Sequence, residues 1–239
     1  MIVLHGHKLI FLKARKVAGT SFEIALSRYA GEGDIVTPIS PKDEEIRVRL
    51  GFTQGQNYKR PLAELMSRVN ARDVKYMRKL RWPLKFYNHM PAHEAKSRLG
   101  DAIWQTYTKL SIVRNPFDYM VSAYFWENKD RRPDFQQWCL DHPHIFGRNN
   151  EQYLINGQPI IDFFIRYENL KEDILRFEES MPSLAGLYDT FQSINAKGEA
   201  RPRTGPSVQE LFVGADRVKE LVCQRSRFEI EKFGYNLVS

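Results

Sequence analysis

Cysteine is nearly absent from the 239 residues: Cys139 and Cys223 are the only two. Two thiols so far apart make neither a disulfide framework nor a paired metal site, so each is expected as a small core side chain in a reducing compartment. Long apolar runs are missing too. None approaches the roughly 18 residues that a membrane-spanning helix needs. The opening residues Met1-Ile2-Val3-Leu4-His5-Gly6-His7-Lys8 lack the charged head, long apolar middle and small-residue cleavage site of a secretory leader. Internal repeats and low-complexity tracts are also lacking, which removes solenoids and collagen-like or linker architectures. A soluble, cytoplasmic chain is the expectation.

What is present narrows the class. The 42% hydrophobic and 13% aromatic content is too high for a disordered protein, and the length suffices for one sizeable core. Lys and Arg number 36 against 29 Asp and Glu, a net charge of +7. That excess suits an anionic partner: nucleic acid, a polyanionic glycan or a phosphate-rich cofactor. Charge alone does not choose among them, because a solvated basic face gives the same count.

Along the chain, residues 8–13 form a short apolar run bounded by lysines, the pattern of a buried strand, and Phe22, Ala25, Leu26 and Tyr29 follow at helical spacing. Residues 30–60 read as a loop or excursion rich in Gly, Pro and charge. Residues 61–80 read as helical with an interruption near Asn70. A second strand–helix unit is expected at 84–87, with Pro91 in the first turn of a helix that Gly100 ends. A third is expected at 108–113, turning through Arg114-Asn115-Pro116 into a helix over 117–126. Asn156-Gly157 signals a hairpin, residues 161–165 another strand, 195–206 a loop, and 218–228 an amphipathic helix. Strands alternating with helices predict an α/β fold with a mainly parallel central sheet flanked by helices. Ligands in such folds bind beyond the carboxyl ends of the strands, where the three turns fall.

Two of those turns carry anion-binding chemistry. In Lys16-Val17-Ala18-Gly19-Thr20-Ser21 a glycine lets backbone N–H groups converge, and Thr20 and Ser21 open a helix whose N-terminus favours an anion. An ordinary helix cap beside a surface lysine has the same spelling. A Walker A motif does not, since its lysine follows the second glycine and Lys16 precedes Gly19. In the second turn, Arg114 at a strand's carboxyl end can hold a phosphate bidentately, and Ser122 lies two helical turns on. An Arg114–Asp118 ion pair with Ser122 facing solvent is the structural alternative.

Together the two segments resemble the two cofactor-binding signatures of sulfotransferases that use 3′-phosphoadenosine 5′-phosphosulfate (PAPS). In that family a Lys-x-Ala-Gly-Thr-Ser loop holds the 5′-phosphosulfate, and an Arg-Asn-Pro-Phe/Trp-Asp segment followed by a Ser holds the 3′-phosphate. The wording is closest to the branch containing the Golgi carbohydrate sulfotransferases and heparan sulfate 2-O-sulfotransferase. That branch also carries an Asn/Thr-His-Met-Pro segment and a late Phe-Gly-Tyr, matched here by Asn88-His89-Met90-Pro91 and Phe233-Gly234-Tyr235. Arg15 stands where members have proline, and the Golgi anchor has no counterpart, so the resemblance implies a cytosolic member.

The resemblance implies a P-loop-NTPase-like fold, one sulfotransferase domain over residues 1–239, and PAPS as cofactor without a metal. It also implies a hydroxyl-bearing acceptor, a glycan or glycolipid, recognised by excursions at about 30–82 and 127–150. Arg15, Lys16, Ala18, Gly19, Thr20, Ser21, Arg114 and Ser122 are the expected cofactor ligands, with Arg201 and Arg203 where the family closes a loop over the nucleotide. For chemistry, a histidine takes the acceptor proton near neutral pH. His89 is favoured over His93, which lies four residues on, while Lys16 neutralises charge on the leaving phosphate. A zinc site at His89 and His93 is weaker, because Met90 stands where that motif needs Glu. Two rivals remain: a P-loop nucleotide phosphotransferase, and a nucleic-acid-binding domain suggested by Arg72, Lys75, Arg78, Lys79 and Arg81.

Overall fold

In the computed structural model, which describes residues 1–79, 81–129, 131–194 and 205–237, the first apolar residues already pair. Strand β1 (Ile2–Leu4) turns at residues 5–8 and returns antiparallel as β2 (Leu9–Phe11), with Ile2 opposite Phe11 and Leu4 opposite Leu9. Every side chain of both is fully buried. This explains why they read as unbroken apolar runs and not as alternating strands. β3 (Ile35–Val36), β4 (Thr108–Val113), the hairpin strands β5 (Leu154–Ile155) and β6 (Gln158–Pro159), and β7 (Phe163–Arg166) complete the set. One sheet has the order β3-β1-β2-β4-β7, and β5-β6 form the separate hairpin that Asn156-Gly157 signalled. β2, β4 and β7 are parallel, whereas β1 and β3 extend the sheet antiparallel.

The helices follow local signals. α1 (Gly19–Ser27) leaves the loop after β2. α2 (Pro41–Arg49) is capped by Ser40, which accepts from the Asp43 N–H. Residues 30–60 are therefore not all loop: they hold β3 and α2. α3 (Leu62–Ser67) and α4 (Ala71–Met77) are separated where expected, because Asn70 and Asp73 form a capping box that starts a new helix. α5 (Ala92–Leu99) ends at Gly100, whose φ of 85° lies in the left-handed region, and α6 (Asp101–Thr106) follows. α7 (Pro116–Glu127) leads to α8 (Phe135–Asp141), α9 (Asn150–Tyr153), α10 (Leu170–Ser180), α11 (Leu187–Gln192) and α12 (Val208–Leu211). The expected helix over 218–228 is two, α13 (Asp216–Arg225) and α14 (Arg227–Phe233), broken at Ser226. Among the described residues no helix is long and apolar enough to cross a membrane.

One expected strand is absent. Residues 84–87 make only an isolated bridge from Leu84 to Lys59, and the N–H groups of Lys85 and Phe86 both turn to the Tyr58 carbonyl. Two donors on one acceptor leave no ladder to extend. The result is a short stem that closes residues 61–82 into an excursion. The third parallel strand is β7.

Buried side chains form two clusters. One surrounds the sheet, with α11 packed against both α1 and α10 beside it. In the other, Phe117 and Phe125 of α7 meet Phe135 and Trp138 of α8 and Val218 and Val222 of α13. Each such side chain contributes about 1.5–3 kcal/mol on burial, so α7 is fixed firmly by one face and offers the other to the site.

Inside the first cluster lies a buried ion pair. Lys13, just beyond β2, donates to Glu23 Oε2 on α1 at 2.7 Å, and Glu23 Oε1 takes the Met1 ammonium at 2.6 Å and the Thr37 hydroxyl at 3.1 Å. Burial alone raises the Glu23 pKa, but Lys13, the Met1 ammonium and Arg47 outweigh it and hold the carboxyl well below its usual range. Glu23→Gln strips Lys13 of its compensating charge. We expect a stability loss of about 3–5 kcal/mol at neutral pH, read as a lower midpoint in urea unfolding.

Candidate functional site

A cavity of about 620 Å³ opens where β2 and β4 end, and its wall includes Lys16, Gly19, Thr20, His89, Arg114 and Ser122. Its floor is the loop from Ala14 to Ala18. Lys16 and Ala18 have φ of 61° and 56°, with Val17 between them on the ordinary side and buried as an anchor. Left-handed backbone costs a residue with a Cβ about 1–2 kcal/mol, so two such residues in one short loop need outside support. Asn149 supplies it: its Oδ1 accepts the Arg15 N–H at 2.8 Å and its Nδ2 donates to the Arg15 carbonyl at 3.1 Å. Gly19 suits the close packing here, since a Cβ would crowd Lys13 Cγ at 3.0 Å and push the buried lysine stem aside. Ala18 provides no side-chain cap for α1, so the helix presents its positive end to the cavity.

Arg114 closes the opposite side. Its Nε and Nη2 donate to Asp118 Oδ2 at 2.7 and 2.6 Å, its Nη1 donates to the Lys16 carbonyl at 2.6 Å, and its guanidinium lies 3.9 Å over the Tyr167 ring. The Asp118 pair exists, and the same side chain also joins the lysine loop. The turn carrying Arg114 is braced from the far end of the chain. Asn115 donates to the Asn236 carbonyl, its N–H donates to Glu168 Oε1, and Tyr235 donates to Glu168 Oε2. Pro116 and the Asn115 cap start α7, which brings Ser122, Tyr119 and Trp126 to the cavity wall. The Lys16 ammonium rests 4.1 Å over the Trp126 ring, and Lys129 lies 4.0 Å over the same ring.

His89 is the third left-handed residue at this cavity, with φ of 56°. Its Nδ1 lies 3.1 Å from the Lys13 carbonyl. A carbonyl only accepts, so Nδ1 carries the proton and Nε2 is the bare nitrogen of the neutral ring. The His89 carbonyl accepts from Gln152 at 3.2 Å. Burial, followed by Lys13 and Arg15, lowers the His89 pKa to about 3, so the ring is neutral at physiological pH.

The remaining expected residues divide. Arg15 lines the cavity beside Arg148, and burial and the neighbouring Arg148 lower its pKa. Its Nη1 is buried and has no partner among the described residues. Ala18, Gly19 and Thr20 are in the wall, while Ser21 is buried outside it. His93 is exposed on α5 and is not in the wall. The four-residue spacing fails because α5 begins at Ala92 and His89 precedes it on left-handed backbone. Arg201 and Arg203 lie outside the described residues. Among the described residues no group of three or more His, Cys, Asp or Glu converges as a metal site. Sequence reasoning missed Arg148 and Asn149, which sit in the 127–150 excursion without a motif, and missed Glu168 and Trp126, whose residue types were visible but not their partners.

Cations, a helix N-terminus and a strained loop beyond parallel strands are the equipment of a site for phosphate or sulfate groups. Comparison with known proteins gives the family. Residues 1–160, from β1 through the hairpin, match the model described as "Sulfotransferase family", and the chain belongs to that family. An uncharacterized protein of Archaeoglobus fulgidus is 31% identical over 93 residues, which is 36% of this chain and 78% of that protein. No solved structure matches the chain.

The lowered His89 pKa makes a stability prediction. The unfolded ring binds a proton below about pH 6.5 and the folded ring only near pH 3, so His89 costs stability progressively as pH falls through that window. Melting temperatures of the parent and His89→Gln should diverge from pH 7 to pH 4, with the parent falling more steeply.

Proposed function

We propose that the protein is a PAPS-dependent sulfotransferase that moves a sulfuryl group to a hydroxyl of a carbohydrate, with His89 as the base. The reading takes the chain as one P-loop-like domain. The observation that carries it is the hydrogen bond from Arg114 to the Lys16 carbonyl. It joins two signatures 98 residues apart at one cavity, with His89 in the same wall.

The residues present fit the cofactor. The strained loop and the N-terminus of α1 offer backbone N–H groups for a phosphosulfate, with Lys16 beside them. Arg114 and Ser122 line the same cavity and would hold a second phosphate. Bound there, PAPS supplies the sulfuryl group. His89 Nε2, bare because Nδ1 is committed to Lys13, accepts the proton that the acceptor hydroxyl loses. Burial is the main cause of the low His89 pKa, and anionic groups in the cavity would offset the smaller part that Lys13 and Arg15 add. Lys16, which rests over Trp126 at the cavity wall, is the cation that would face the charge left on the departing phosphate. Arg15 and Arg148, adjacent and with no carboxylate ion pair among the described residues, favour an acceptor that is itself acidic.

Calorimetric titration with 3′-phosphoadenosine 5′-phosphate, without metal, tests the cofactor assignment against AMP and ATP. Binding should require the 3′-phosphate and weaken by about 30-fold in Arg114→Ala, the loss of charge-assisted bonds worth ~2 kcal/mol. Equal binding of ATP overturns the reading. For the base, His89→Ala should lower kcat by about 10²–10⁴-fold while nucleotide affinity stays within about threefold.

A further inference from the structure

Among its described residues, the excursion of residues 61–82 buries almost nothing. No side chain of α3 is buried, and Asp73 is the sole buried residue of α4. Short helices are not stable on propensity alone and ordinarily need an apolar face packed on something. Here the attachment is polar and lies at the base. Arg60 pairs with Asp73, Lys85 with Glu64, and Arg72 with Glu94 of α5, while the stem runs through Tyr58, Lys59 and Leu84.

The apolar side chains point elsewhere. Six of the eleven large apolar side chains exposed among the described residues fall in this stretch: Leu62, Met66, Val69, Val74, Met77 and Trp82. Met66 is 81% exposed and Leu62 60%, and the two share a helix face at i, i+4. Cations are interleaved with them. Residues 60–82 hold seven Lys and Arg against two Asp and Glu, a net +5 of the chain's +7. Both acids are taken by the pairs at the base. Arg68, Lys75, Arg78, Lys79 and Arg81 are exposed and have no ion pair among the described residues.

From this pattern we infer that residues 61–82 dock the protein on an anionic phospholipid surface. Exposed methionine, leucine, valine and tryptophan enter the boundary between headgroups and acyl chains, and the interleaved cations meet the headgroup phosphates. Competing occupants fit less well. A second copy of the chain would set one net +5 face against another in a two-fold contact. Nucleic acid takes the cations but offers little to Leu62, Met66 and Val69, since its interfaces are polar. The inference rests on the excursion alone and stands apart from the sulfotransferase reading. Because Arg72–Glu94 ties α4 to the helix that follows His89, a docked excursion holds the His89 segment near the membrane.

The test is flotation of the whole chain with two kinds of vesicle, one of phosphatidylcholine and one containing about 30% phosphatidylglycerol. The protein should float with the anionic vesicles, stay behind with the neutral ones, and detach as salt rises from about 0.1 to 0.5 M. Met66→Asp with Met77→Asp removes the apolar half of the contact, and Lys75→Glu with Lys79→Glu the charged half. All four positions are exposed, so unchanged melting curves are expected, and each pair should cut partitioning at least tenfold. Failure to float, equal flotation with neutral vesicles, or variants that bind like the parent overturn the proposal. So does a dimer in sedimentation that the methionine pair dissolves, or binding to duplex DNA tighter than to the anionic vesicles.

Discussion

Lys13 is an ammonium buried inside a core, and such a group is tolerated only where a carboxylate meets it. Glu23 does so from the second turn of α1, and this pairing sets the path of everything between them. The strand must end and the helix must begin within bonding reach, so the loop from Ala14 to Ala18 has little freedom. The same residue acts in two further ways. Its stem runs close over Gly19, where a Cβ would be crowded, and its carbonyl fixes the His89 tautomer. One residue, through its side chain and its carbonyl, thereby bears on the loop's span, its glycine and the orientation of the histidine.

The site is rigid on both flanks for different reasons. On the lysine side, left-handed Lys16 and Ala18 are kept in place by the Asn149 clamp and the buried Val17. On the arginine side, Arg114 is held by Asp118, Tyr167 and the Lys16 carbonyl. α7 is locked from behind by the aromatic cluster of Phe117, Phe135 and Phe212. Charge is concentrated in the opening, where Arg15 and Arg148 face each other's repulsion. A cavity stiffened this way loses little entropy when an anion enters.

Much of this was legible in the sequence. The parallel strands β2, β4 and β7, the Asn156-Gly157 hairpin, the break at Asn70 and the stop at Gly100 all follow from local pattern. So do the positions of Lys16 and Arg114 at strand ends, whereas it was the family resemblance that joined the two segments. What was not legible depends on contacts between distant segments. Residues 84–87 have strand-like composition, but Tyr58 captures their donors. β1 is too short to announce itself before His5-Gly6-His7. His93 has the right spacing from His89 only if one helix carries both, and a left-handed histidine prevents that. Arg148 and Asn149 carry no motif, and Glu168 became a brace only once Asn115 and Tyr235 were seen on its two oxygens.

The clamp on Arg15 bears on the order in which the molecule is assembled. A growing chain that has reached the end of α7 already contains the strand, the loop, the helix, His89 and Arg114. It does not yet contain Asn149, which lies 134 residues beyond the backbone it holds. Until that residue arrives, the strain of Lys16 and Ala18 is opposed by Lys13–Glu23 and by the Arg114 bond to the Lys16 carbonyl. Contacts this distant in sequence form late. The cradle therefore gains its Asn149 support only after the first two parallel strands, α1 and α7 have been made.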